Sequence, residues 1–253
     1  KYFKEKSKTF KGFLGNKTIK EAVLELEEKN TKETEDLEEL RLTNNLETEK
    51  ELKQKIKNLP TDKVPVIIAG GSFNTKGRET VVSENGIKIL RQLIKNVDSE
   101  NAYFVIGHKM QGYEKAIVDI SKEMNKNFEI DAIVPKVVTQ KVKNRLLDEE
   151  VDGICISPET EELGIYKSFN YEIFERRKSV VIAFDGNSPV LNLVQEAKNG
   201  KGKSKIYVNK ENTLLREKAD TLEGYVVPFE MQDNQDNIVS KIFEDNPEIL
   251  KHN

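Results

Sequence analysis

Val64-Pro65-Val66-Ile67-Ile68-Ala69-Gly70-Gly71-Ser72 decides the fold. A β-branched apolar run with no polar alternation reads as a strand buried on both faces, as in a parallel sheet. Two glycines and a serine stop it abruptly, which reads as a strand entering a tight turn. An amphipathic stretch follows at 83–97, with Ile87, Leu90, Leu93 and Ile94 on one face. The pattern then recurs. Further strands are expected at 102–106, 128–135, 153–157, 179–184 and 205–208, with another apolar stretch at 225–229. Further helices are expected at 113–124, 138–147, 169–176, 190–199 and 214–222. Strand and helix in alternation demand a parallel sheet with right-handed crossovers and helices on both faces. The expected fold class is therefore a three-layer, Rossmann-like α/β domain.

Upstream of this domain the composition changes. Of the first 60 residues 27 are charged, against 58 of the remaining 193. The boundary falls at Pro60 and Pro65, a linker signature. Two or three helices with narrow apolar stripes are expected within 17–59. The expected division is a charged helical lead or connector over 1–60, a nucleotide-binding α/β domain over 61–232 and a C-terminal helix or tail over 233–253. The three methionines are Met110, Met124 and Met231. None stands at position 1, so a preceding segment is expected, such as an effector or a membrane segment.

Composition excludes several classes. The net charge of −3 argues against a globally basic nucleic-acid binder. A single cysteine, Cys155, excludes a disulfide framework. With only His108 and His252 beside it, no transition-metal site is expected. No apolar run approaches the roughly 20 residues that span a bilayer. The expected compartment is the cytoplasm, with membrane tethering through a preceding segment as the variant.

In a doubly wound sheet, ligands sit at the carboxyl ends of the strands. That rule selects loops. After the first strand come Gly70, Gly71, Ser72, Lys76 and Arg78. Glycine lets backbone approach phosphate closely, and Lys or Arg supplies counter-charge. After the second strand come Gly107, His108 and Lys109, then Glu114 at the start of a helix. A histidine there suits a general base or phosphate donor, and a carboxylate suits a ribose hydroxyl. After the fifth strand comes Asp185-Gly186-Asn187-Ser188, a turn opening a helix whose amino end favours an anion. Each has a plainer reading as well. Loop lysines are ordinarily solvated, Arg78 beside Glu79 can pair locally, and Glu114 satisfies a helix amino terminus.

Three stretches together carry a resemblance. They are Ile67 to Ser72; Val105-Ile106-Gly107 with Gly112 to Ala116 and Ile130 to Pro135; and Val180 to Ser188 with Ala197 and Gly200. In order and spacing they resemble the SLOG superfamily. It includes the LOG enzymes, the DNA-processing protein A fold and the molybdenum-cofactor carrier proteins. The resemblance spans about residues 64–210. It implies recognition of a nucleotide-derived signal, of cyclic-nucleotide or ADP-ribose type, by a sensor module of a bacterial defence effector. It also implies a homo-oligomer that controls a linked or partner effector and needs no separate cofactor. LOG-type hydrolases carry a Pro-Gly-Gly-x-Gly-Thr-x-x-Glu loop. Asp185-Gly186-Asn187-Ser188-Pro189 departs from it, which weakens hydrolysis as the activity. The alternative remains an N-glycoside hydrolase acting on nucleotides or NAD, with Glu172 or Glu161 as its carboxylate. A third class, single-stranded nucleic-acid binding, is disfavoured by the charge of 61–253.

Overall fold

The computed structural model describes residues 58–71, 80–125, 128–135, 144, 146–148, 151–157, 173–232 and 235–251. The expected helical lead (but for residues 58–60, which are not helical), the helix at 138–147 (but for residues 144, 146 and 147) and most of that at 169–176 lie outside them.

Seven strands form one parallel sheet among the described residues. They are β1 (Val64–Ala69), β2 (Ala102–Ile106), β3 (Ile130–Pro135), β4 (Gly153–Ser157), β5 (Val180–Ala183), β6 (Lys205–Asn209) and β7 (Val227–Phe229). Their order is β4-β3-β2-β1-β5-β6-β7. The helices are α1 (Glu84–Asn96), α2 (Gly112–Glu123), α3 (Ser188–Asn199), α4 (Thr213–Thr221) and α5 (Gln235–Asp245), with a 3-10 turn at Pro247–Ile249. This is the Rossmann-like α/β class that the strand–helix alternation demands. Among the described residues no helix is long and apolar enough to cross a membrane.

Two cores cover the two faces, because alternate strand residues point to opposite sides. On β1, Val66 and Ile68 join one core while Ile67 and Ala69 join the other. The first core is closed by α1, α2 and α5, through residues such as Leu93, Ile117 and Ile242. The second is closed by α3 and α4, through Leu193, Val194 and Leu215. Truncating one such side chain to Ala costs about 2–5 kcal/mol. Ser83 caps α1 by accepting from the Gly86 amide at 3.0 Å, one of the helix's unpaired amino-terminal donors.

The segment from α5 onward straps the amino edge of the sheet. Tyr207 donates to Asp245 at 3.0 Å, and Lys178 pairs with Glu248 at 2.6 Å. Leu250 then bridges Val97 antiparallel, and its carbonyl accepts from the Asn101 amide group at 3.3 Å.

Candidate functional site

The chain leaves β1 toward β2, β3 and β4, then returns to place β5 on the other side of β1. Neighbouring loops therefore diverge between β1 and β5, and sheets of this class place their ligand crevice at such carboxyl ends. The Phe184 amide donates to the Ala69 carbonyl at 2.9 Å, closing the last joint between the strands. Beyond it lie Gly70-Gly71 on one side and Asp185-Gly186 on the other.

Tyr113 and Phe184 are buried in the first core close to these turns. Their rings stack at 4.5 Å and 13°, and Phe229 meets Phe184 edge-on at 6.0 Å. The Tyr113 amide donates to the Gly70 carbonyl at 3.0 Å, which ties the start of α2 to the end of β1. Its hydroxyl accepts from the Ser83 amide at 3.2 Å and lies 3.3 Å from the Met231 sulfur. Burial pushes the phenol above its ordinary value, and the Ser83 hydrogen bonds partly oppose this. Gly112 supplies the sharp approach to that helix. Its φ is +53°, and a Cβ there would lie 2.4 Å from the Gly70 oxygen, so no side chain fits.

Glu114, the residue after Tyr113, is only 6 % exposed. Its carboxyl fills the space a side chain would take on two glycines. A Cβ on Gly71 would stand 2.1 Å from the Glu114 carboxyl carbon, and one on Gly107 would stand 2.8 Å from Oε1. The glycines after β1 and β2 thus make room for the protein's own carboxylate. Sequence reasoning assigned Gly71 to phosphate approach and Glu114 to either ribose or the helix terminus. The packing explains Gly71 and Gly107 by Glu114, and it draws that glutamate inward from the surface.

On the β5 side, Asp185 Oδ1 accepts from the Gly186 amide at 2.8 Å and from the Asn212 side-chain amide. The Asn212 amide also donates to the Gly186 carbonyl at 3.1 Å, while its oxygen caps α4 by accepting from Leu215 at 3.0 Å. Asn209, at the end of β6, donates to the Phe184 carbonyl at 2.8 Å. Two asparagines from the neighbouring strand end therefore hold the turn after β5. Sequence reasoning missed both. Asn212 stands just before the Leu214 helix, a cap signature that was readable; its reach to Asp185 was not. Asn187 begins α3 and its Oδ1 is buried without a hydrogen-bond partner. Ser188 is exposed at the first turn, which carries no acid.

The structure thus gathers Gly70, Gly71, Gly107, Glu114, Asp185, Asn187 and Ser188 at the carboxyl edge. His108 is buried (6 % exposed) and Lys109 half-buried in the loop after β2. Ser72, Lys76, Arg78, Glu161 and Glu172 lie outside the described residues. Among the described residues no three His, Cys, Asp or Glu side chains are grouped to hold a metal. An open polar depression of about 380 Å³, lined by Lys63, Ser99, Glu100, Glu129 and Asp152, lies at the amino edge and shares no residue with the crevice.

No known family and no curated protein matches the chain. Among solved structures, the chain is similar to the molybdenum cofactor carrier protein of Chlamydomonas reinhardtii, at 12 % identity and a TM-score of 0.45, over 72 % of this chain and 98 % of that one.

Proposed function

We propose that the protein binds a nucleotide-derived small molecule, of cyclic-nucleotide or ADP-ribose type, in the crevice between β1 and β5. The observation that carries this reading is the topological switch point between β1 and β5, with Glu114 and Asp185 supplied by the segments that follow β2 and β5. Carboxylates repel phosphate but accept from hydroxyls, and a ribose diol offers two donors. The sugar then lies toward Glu114 or Asp185. The phosphates lie away from Glu114, toward Asn187 and Ser188, where the acid-free first turn of α3 favours negative charge. Lys76, Arg78 and Lys109 are the cations that the sequence places in adjoining loops. Control of a linked effector in bacterial defence, through an assembly of several copies, completes the proposal and rests on the SLOG resemblance. No specific observation favours hydrolysis at Glu172.

A thermal-shift screen over ADP-ribose, cyclic ADP-ribose isomers, mono- and dinucleotides and cyclic nucleotides tests it. A ligand at 100 times its Kd adds about 2.7 kcal/mol. For a domain of this size that raises Tm by roughly 5–10 °C. Glu114→Gln and Asp185→Asn are each expected to weaken the shift. If none of these compounds moves Tm, the reading fails.

A further inference from the structure

The residues that lead into the α/β domain are held at its amino edge. Leu59 packs against the second core. The next residue, Pro60, presents its carbonyl to two donors. The Arg177 guanidinium donates to it, and the Tyr103 hydroxyl lies 3.5 Å away. Tyr103 belongs to β2 and is fully buried, so its phenol is a fixed anchor. Burial raises that phenol above its ordinary value, and the positive charge of Arg177 opposes the rise, as expected of a guanidinium close by. A proline carbonyl suits this role, because the ring fixes φ and leaves the carbonyl as the residue's sole backbone hydrogen-bonding group.

Arg177 is itself tied locally, its amide donating to the Ile173 carbonyl at 2.9 Å. Three residues later the chain enters β5, which runs to Ala183 and delivers Phe184 and Asp185 to the crevice. The leading segment and the crevice therefore attach to opposite ends of one short central strand. We infer that Arg177, gripping the Pro60 carbonyl, forms a clasp that couples the segment entering the domain to β5. Opening the clasp frees that segment and loosens β5 together. The inference goes beyond ligand binding and stands whatever occupies the crevice.

Hydrogen exchange of the full chain tests it without a ligand. Three fragments are read: 58–64 (the clasp), 180–187 (β5 and its turn) and 112–123 (α2, on the opposite face). Loss of a charge-assisted hydrogen bond in Arg177→Ala is expected to speed exchange in 58–64 about tenfold. Exchange in 180–187 is expected to rise at least about threefold, with 112–123 unchanged. Arg177→Lys keeps the charge but not the guanidinium fork, and is expected to fall between. Tyr103→Phe is expected to move 58–64 by less than about threefold, since 3.5 Å is at the limit of a hydrogen bond. Unchanged exchange at 58–64 in Arg177→Ala overturns the clasp. A faster 58–64 with an unchanged 180–187 overturns the coupling. Equal acceleration in all three fragments overturns it too, because that reports global destabilisation.

Discussion

Alanine at Gly71 is expected to damage the protein through one side chain, Glu114. The backbone at Gly71 lies outside the conformational region that L residues avoid, so strain there is not the cause. The new Cβ would lie 2.1 Å from both the carboxyl carbon and Oε2 and 2.6 Å from Cγ, where 3.4 Å or more is ordinary contact. The carboxyl has to retreat by well over an ångström. Gly107 flanks it on the other side, with a Cβ position only 2.8 Å from Oε1. Retreat therefore means leaving a buried setting. Overpacking of this kind costs about 1–3 kcal/mol. Urea denaturation of six proteins measures it, with the slope held constant. Gly71→Ala alone is expected to lose about 2 kcal/mol. In a Glu114→Ala background the same change is expected to cost under about 0.5 kcal/mol, a coupling well above the additivity error. A Glu114→Gln background keeps the bulk and removes the charge, so there Gly71→Ala costs as much as in the parent. Equal costs in the Glu114→Ala and parent backgrounds would refute the packing account.

Asn212→Ala removes both the α4 cap and the donor to Asp185, and is expected to cost about 1–2 kcal/mol by urea denaturation. Asn212→Ser keeps a capping oxygen without the amide donor, and is expected to recover part of that loss. Burial raises the phenols of Tyr103, Tyr113 and Tyr207 above their ordinary values. A raised folded value means stability is fully present below the unfolded value of about 10 and is lost as pH rises past it. Urea midpoints are thus expected to fall steeply above about pH 10. Tyr207→Phe is expected to be weaker than the parent at pH 7, having lost its bonds to Asp245 and Asn246, yet to fall less steeply in alkali. An identical alkaline slope in that variant would show that Tyr207 takes no part.

The strands were legible because a parallel sheet buries both faces, so Val66-Ile67-Ile68 and Val180-Val181-Ile182 need no polar alternation. Glycines marked where β1, β2 and β5 deliver their loops. The order of strands was not read from the sequence, but the rule that ligands sit at the carboxyl ends selected the candidate loops without any motif. What stayed illegible were pairings across long separations. Glu114 read as a helix-terminus residue or a partner for a ribose hydroxyl, because nothing local shows that two glycines from other strands make room for it. Asp185 read as a turn residue and a candidate ligand partner, and its hold by Asn212 stayed hidden because Asn212 belongs to the next strand–helix unit. The expected phosphate role of Gly71 failed to foresee Glu114 for the same reason: a glycine is equally silent about whether ligand or protein approaches it.

The strand order carries a consequence in time. Val66 pairs with Val180, and the whole β2–β3–β4 half of the sheet lies between them in the chain. That pairing closes a long loop and belongs among the slow events of assembly. The two halves can each gather locally before they meet along this line. The proposed crevice is the seam where they meet, so on that proposal competence to bind arrives only when the halves have joined. A molecule lodged across the seam would also hold them together, slowing their parting as well as reporting its own presence.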